Sequence, residues 1–438
     1  MSHLPNRVRI SLLAAALTLP MIAASTTQAA VTAADSAEVR KLIDEVMPEV
    51  IEWRRDIHQH PELGNREIRT AGLIADHLKA LGIEVRTGIA HTGVVGILRG
   101  AEGGPVVALR ADIDALPVTE AVDLAFASKV TTTYNGKEVG VAHACGHDAH
   151  TAILMGTAEV LAKMKDEIKG TVMFIFQPAE EGAPEGEEGG AAMMLKEGLF
   201  AELKPDAVFG LHVMPKQLGT IEVRERGTLA SSDSFTIKVT GKQTHGGMPW
   251  NGVDPIVLAS QIVLGLQTIT SRQVDLTKSA SVISVGAING GLRANIIPNE
   301  VEMVGTIRML DPDTRKSVHE MMERTVKNIA ESGGGSAELH ITPGYPVTYN
   351  DPELTRRMTP SLEKVAEVKE ALPITPAEDF AFYAQEVPGM YFFLGAAPED
   401  PKDIYPNHSP KFQVNEKALP IGVTAMTTVA LDFLNSQR

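Results

Sequence analysis

The chain has 438 residues, with 40 Lys+Arg against 55 Asp+Glu and a formal net charge of −15. Hydrophobic residues make up 44% and charged residues 22%, a globular balance that argues against intrinsic disorder. An acidic chain repels nucleic-acid phosphates, so no nucleic-acid partner is expected, and the length exceeds what one core usually serves, so two domains are.

Arg7 and Arg9 precede an apolar run over residues 10–24, and small residues follow through Ala29 and Ala30. A basic start, a short apolar stretch and an Ala-rich exit form the pattern of a cleavable export signal, here residues 1–30. The run is short for a spanning helix and contains Pro20. The expectation is an exported protein, periplasmic or secreted, with no stable membrane insertion after cleavage. No later stretch reads as long and apolar enough to cross a bilayer. Cys145 is the only cysteine, so no internal disulfide can form.

From Ser36 to about Ala80 the apolar spacing is helical, with breaks expected at Pro48 and at His60-Pro61. Near-continuous apolar runs follow at residues 94–98, 106–109, 172–176 and 207–211. Such runs read as strands buried on both faces of a parallel or mixed sheet, with a helix at about 149–165 among them. From about Ser231 to Gly344 the pattern changes. Phe235, Ile237 and Val239 alternate with polar residues, as do Val301, Met303, Ile307 and Met309, which fits half-buried strands. One helical pattern covers about 254–270, and another puts Val318, Met321, Met322, Val326 and Ile329 on one face. The order strand, helix, strand, strand, helix, strand is that of ferredoxin-like domains. After Pro346 the α/β pattern resumes, with a buried strand at 390–394. The expected organisation is α/β, with one domain from 31–230 and 346–438 and a second, 231–345, inserted into it.

Candidate polar residues follow directly on the strands. Asp112 and Asp114 come after 106–109, Glu180 and Glu181 after 172–176, and His212 ends 207–211. Ligands of open α/β sheets bind outside the carboxyl ends of strands, so these residues should converge. Cys145 and His147 stand just before a helix, whose positive end would favour a thiolate, and His408 lies in a late loop. Thiolate, imidazole and carboxylate are the ligand set of zinc and its first-row neighbours. Each residue alone has a plainer reading: a packed histidine, a solvated acidic loop, a core cysteine. Together they point to a dinuclear metal hydrolase.

The motifs carrying these residues resemble those of the M20 metallopeptidases, within them the amidohydrolase branch of hippurate and indoleacetyl-amino-acid hydrolases. They run from Arg54-Arg55-Asp56-Ile57-His58-Gln59-His60-Pro61 through Arg110-Ala111-Asp112-Ile113-Asp114, His143-Ala144-Cys145-Gly146-His147-Asp148, Gln177-Pro178-Ala179-Glu180-Glu181 and Gly210-Leu211-His212 to His408-Ser409-Pro410. Asn295-Ile296-Ile297-Pro298 and Gly305-Thr306-Ile307-Arg308 match in the inserted segment, and Glu378-Asp379-Phe380 after it. The resemblance implies a zinc-peptidase-like catalytic domain with an inserted ferredoxin-like α+β lid that joins two chains as a homodimer. It implies two divalent metal ions, zinc or manganese with cobalt or nickel as further options, held by Cys145, His147, Glu181, His212 and His408.

Cys145 falls where many members place a bridging Asp, and Arg110 where they place a ligand His, a task His147 takes over. Glu180 matches the general base, and Asp112 a residue that orients a ligand. His245 matches the lid histidine that stabilises the oxyanion, often across the dimer interface. Asn295 and Arg308 match lid residues that grip the substrate carboxylate. His58 and His60 are read as structural, and His143 and His150 as supports of the metal loop. Trp250 and Asn251 depart from the family pattern. The implied reaction converts an N-acyl amino acid, aromatic or aliphatic, to a carboxylic acid and a free amino acid. A metallo-exopeptidase or dipeptidase using the same site is the alternative.

Overall fold

A computed structural model describes residues 37–436, so the expected export segment lies outside the described residues. The chain begins with helices α1 (Ala37–Gln59) and α2 (Ile68–Ala80). Contrary to expectation, Pro48 does not break α1, which runs through it to Gln59. Proline removes the amide that would bond the carbonyl of Asp44, but both residues are exposed, so water takes its place.

Strands β1 (Glu84–Ile89), β2 (Gly93–Arg99) and β3 (Ala101–Asp112) follow, then helix α3 (His147–Lys163). Next come β4 (Lys169–Gln177), β5 (Ala207–Met214) and β6 (Thr220–Val223). The inserted segment contributes β7 (Asp233–Thr240), α4 (Pro255–Thr268), β8 (Ser281–Gly290), β9 (Glu300–Met309), α5 (Pro312–Ser332) and β10 (Ser336–Thr342). The chain then returns with β11 (Glu367–Glu370), β12 (Gly389–Gly395) and a last helix, α6 (Leu419–Ser436).

Eight strands form the large sheet in the order β1-β2-β4-β3-β5-β12-β6-β11. The central four, β4, β3, β5 and β12, are parallel. Alternate residues of these strands feed two cores, which is why their sequences are apolar without alternation. Leu109, Phe174, Phe176 and Phe209 pack under α1, α3 and α6. Ala108, Met173, Ile175 and Val208 pack on the opposite face with Met194, Phe380 and Tyr383. Strands β1 and β11 lie at the sheet edges with half-exposed or exposed side chains apart from Ile89, so they leave no continuous apolar run to read.

One expectation about the C-terminus needs correction. The segment Glu416–Ser436 is long and apolar enough, by length and composition, to cross a membrane. Of its most apolar 18-residue stretch, 78% is buried inside the fold, where α6 packs on α3, α1 and the sheet. A helix covered on most sides reads as apolar all round.

The inserted segment folds around its own core. Its strands are antiparallel in the order β8-β9-β7-β10, with Phe235, Ile237, Val239, Met303 and Ile307 packed against Val318, Met322 and Val326. Both helices start with proline after a capping aspartate: Asp254 accepts the amide of Ile256 at 2.9 Å, and Asp311 that of Thr314 at 2.8 Å. The chain crosses between this lid and the large sheet twice. The crossings hold each other: Ser232 donates its amide to the carbonyl of Tyr345 at 3.0 Å, and Asp233 accepts the amide of Gly344 at 3.1 Å.

Candidate metal centre

The C-terminal ends of β4, β3 and β5 are neighbours, and the residues there and just beyond meet. Cys145 and His147 arrive from the start of α3. Gly146 between them has φ +100°, and a Cβ there would overlap Val213, so only glycine lets this loop press against β5. The late loop is stapled to it: the His408 amide donates to the carbonyl of Ala144 at 2.7 Å, and Asn407 Nδ2 to that of Cys145 at 3.1 Å.

Lone pairs converge at this point. His212 Nδ1 donates to the carbonyl of Val213 at 2.8 Å, so its Nε2 presents a lone pair, 3.3 Å from Cys145 Sγ. His147 Nδ1 lies 2.9 Å from the carbonyl and 3.2 Å from the carboxylate of Asp114. Its Nε2 is buried with no hydrogen-bond partner, 3.9 Å from an oxygen of Glu180 and of Glu181. Glu181 Oε1 lies 3.0 Å from His408 Nε2 but without hydrogen-bond alignment. Donor atoms of Cys145, His147 and His212 lie within 4.8 Å of one another, and so do those of Cys145, Glu181 and His408. Two triads sharing one sulfur suit a pair of ions better than a single one.

The electrostatics also call for cations. Burial, followed by Glu181 and Glu180, pushes the Cys145 thiol well up. That corrects the expected thiolate: beside two carboxylates the helix end does not suffice, and the sulfur ionises only with a cation against it. Burial lowers His147, but Asp112, Asp114 and Glu181 outweigh it and raise this group to about 10. A proton thus settles where a metal would. The adjacent carboxylates diverge. Burial, with Glu378, Glu181 and Asp379, pushes Glu180 well up, whereas Glu181, despite its burial, is held down by His408 and His147.

Around these groups lies a shell of buried polar residues, several of them tightly paired, although neither ring nitrogen of His143 has a hydrogen-bond partner. Arg110 is buried, with Nη1 donating to Asp112 at 2.6 Å, Nη2 lying 2.9 Å from both Asp379 and Glu378, and Nε donating to Gln177 at 2.9 Å. It neutralises carboxylates rather than approaching a metal. His150 Nε2 accepts the Val213 amide at 2.8 Å and its Nδ1 meets Asp112 at 2.6 Å, so neither nitrogen is free to ligate. Asp112 makes no hydrogen bond to any expected ligand. The residue that orients two of them is Asp114, which holds His147 and accepts the Glu181 amide at 3.0 Å. Its place two residues beyond Asp112 on the same strand end was the available signal. Arg54 and His58 grip Asp148 at 2.7 and 2.8 Å from behind the metal loop, which gives the N-terminal motif its structural role.

A cavity of about 210 Å³ opens onto Cys145, Glu180, Glu181, His212 and His408. Its far wall is apolar: Met214, Leu229, Ile374, Pro376 and Phe393. A larger space of about 620 Å³ beside Arg224, Arg226 and Lys278 contains no ligand cluster, so chemistry rather than size identifies the site. The lid residues stand apart. His245 and Asn295 are exposed and joined through their backbones, Gly246 donating to the carbonyl of Asn295 at 2.9 Å, and Arg308 is half-buried in β9. None of the three lines the cavity.

Residues 108–432 match the model of peptidase family M20/M25/M40. Thermostable carboxypeptidase 2 of Saccharolobus solfataricus is 42% identical over 90% of this chain and 97% of its own length. The N-acetylcysteine deacetylase of Bacillus subtilis is 37% identical over 88% and 97%. The YXEP protein of Bacillus subtilis, a dinuclear metal binding peptidase, superposes with a TM-score of 0.76 at 35% identity, covering 90% of this chain and 99% of that one.

Proposed function

This chain belongs to peptidase family M20/M25/M40 and is a metal-dependent hydrolase of amide bonds, and from that premise we propose that it cleaves N-acyl amino acids into a carboxylic acid and a free amino acid. A carboxypeptidase and a deacetylase among its relatives share that unit, an acyl group on the nitrogen of an amino acid.

The observation that carries the reading is the state of the carboxylates facing the cavity. A dipeptidase must bind a free ammonium group beside the scissile bond. Glu378 is taken up by Arg110, by the Phe380 amide at 2.9 Å and by the Tyr391 hydroxyl at 2.6 Å. Glu181, 3.0 Å from His408, is an expected metal ligand, and Glu180 is the candidate base. No lining carboxylate is left for an ammonium, and apart from Asn407 the remaining wall is apolar. An uncharged acyl group fits there; a cation would be stranded.

Divalent ions held by Cys145, His147, Glu181, His212 and His408 would polarise the amide carbonyl and lower the pKa of the attacking water. The sulfur favours zinc, and the oxygen and nitrogen donors also accept manganese, cobalt or nickel. Glu180, raised by burial and its acidic neighbours, takes a proton from the water and returns it to the leaving nitrogen. Met214, Ile374 and Phe393 exclude water around the acyl group. The lid, through which two chains form a homodimer, supplies His245 to the oxyanion and Asn295 and Arg308 to the substrate carboxylate. Residues 1–30 support an exported, periplasmic or secreted location.

Metal-reconstituted protein is expected to hydrolyse N-acetyl and N-benzoyl amino acids. Dipeptides of matching size should show kcat/KM at least about 10²-fold lower, because the ammonium finds no partner. Comparable turnover of both sets would instead make the protein a dipeptidase. Cys145 provides a separate check. Cys145→Ala should bind less metal than the parent under the same loading, read by elemental analysis. Full metal content in Cys145→Ala would remove sulfur from the ligand set.

A further inference from the structure

The turn that carries Glu180 is held in an uncommon backbone conformation. Ala179 has φ +51°, in the left-handed region that non-glycine residues rarely occupy. Three side chains from distant segments keep it there. Glu67 accepts the Ala179 amide at 2.9 Å, Asp114 accepts the Glu181 amide at 3.0 Å, and the Tyr345 hydroxyl donates to the Glu180 carbonyl at 2.8 Å. Glu67 and Asp114 lie in the chain that builds the large sheet. Tyr345 lies in the second crossing to the lid.

There Tyr345 also meets the first crossing. Its amide donates to Ser232 Oγ at 3.1 Å, its carbonyl accepts the Ser232 amide at 3.0 Å, and its ring packs edge-on against Phe382 with centroids 5.9 Å apart. Beside Ser232, Asp233 ties the crossing to the lid helix α5: Arg315 Nε donates to it at 2.9 Å and His319 Nε2 lies 2.9 Å away. Rotation of the lid is therefore passed to the crossings rather than absorbed by slack chain, and Tyr345 is where they touch the turn bearing the base.

We propose that Tyr345 is a positioning residue that couples the orientation of the lid to the aim of the Glu180 carboxylate. The inference rests on the reading of Glu180 as the base. Tyr345 bonds the backbone carbonyl of Glu180, not the reacting carboxylate, so its effect is on geometry. A lid that must close to deliver His245 then has a direct means of setting the base as it does so.

The test compares Tyr345→Phe, Ser232→Ala and the double variant, each as metal-loaded full chain. Tyr345→Phe deletes one hydroxyl and keeps the ring. Its kcat should fall about three- to tenfold, the worth of one hydrogen bond, with KM within about twofold of the parent and metal content unchanged. Hydrogen exchange at the amides of 181 and 182 should quicken. Ser232→Ala should lower kcat in the same direction, and the double variant should be no slower than Tyr345→Phe alone, because both act through one link. Normal kcat and normal exchange in Tyr345→Phe would overturn the proposal, as would a loss of melting temperature alone. Fully additive losses would overturn the coupling to the hinge. If the parent protein hydrolyses no N-acyl amino acid, the functional reading falls first. The exchange measurement needs no turnover and still decides whether Tyr345 holds the turn.

Discussion

Glu180→Gln is expected to retain its metal and lose about 10²–10⁴-fold in kcat, whereas Glu181→Ala loses metal itself. The two residues are adjacent in sequence but placed in opposite electrostatic settings. Glu180 is buried among Glu378, Glu181 and Asp379, which favour its protonated form and so make it a stronger base when ionised. Glu181 faces His408 and His147, whose positive charge favours the carboxylate a metal needs. Elemental analysis of both variants, followed by rates at saturating substrate, separates the roles. Near-normal turnover by Glu180→Gln would refute its part as base. Full metal content in Glu181→Ala would take that residue out of the ligand set.

His245→Ala should keep its fold and metal and lose about 10²–10³-fold in kcat with KM little changed, as removal of an oxyanion donor does. In the structure His245 Nδ1 accepts the amide of Gly247 at 3.0 Å, which leaves the proton on Nε2, available to donate. The histidine is exposed and does not line the cavity of its own chain. Exposed apolar side chains lie on the neighbouring turns, Trp250 at 77% and Leu292 at 98% accessibility, as a surface awaiting a partner would have. If a second chain delivers the histidine, mixing His245→Ala with Glu180→Gln should restore activity, since one site of each mixed dimer has both groups intact. Loss of rate without complementation in verified mixed dimers would place the histidine in the same chain. Normal kcat in His245→Ala would remove it from the mechanism.

The central strands were legible because burial on both faces forces continuous apolarity, and residues 172–176 and 207–211 show it without ambiguity. The lid was legible for the complementary reason. One face of its sheet packs on helices and the other faces water, so Phe235, Ile237 and Val239 alternate with polar neighbours. Pro48 misled because a local rule against proline in helices overlooks an exposed carbonyl that water can serve. The helix Leu419–Ser436 was not recognised as long and apolar enough to span a membrane, because composition does not distinguish burial in protein from burial in lipid.

For the site, motif and strand-end position brought forward Cys145, His147, Glu180, Glu181, His212 and His408, since a residue that ends a parallel strand is carried to one edge of the sheet wherever it lies in the chain. The sequence by itself therefore determined the central strands, the pattern of the lid and which donors share that edge, because these follow from local periodicity and chain order. The surroundings of each carboxylate were decided only by the tertiary structure. Asp112 pairs with Arg110 and His150 while Asp114 holds His147, and Glu180 sits among acids while Glu181 faces histidines. Tyr345 reaches Glu180 from 165 positions away in the chain. These assignments depend on directions and distances of a few ångströms between side chains from separate segments, and electrostatic and hydrogen-bond energies vary steeply over that range, whereas residue type and spacing along the chain record neither.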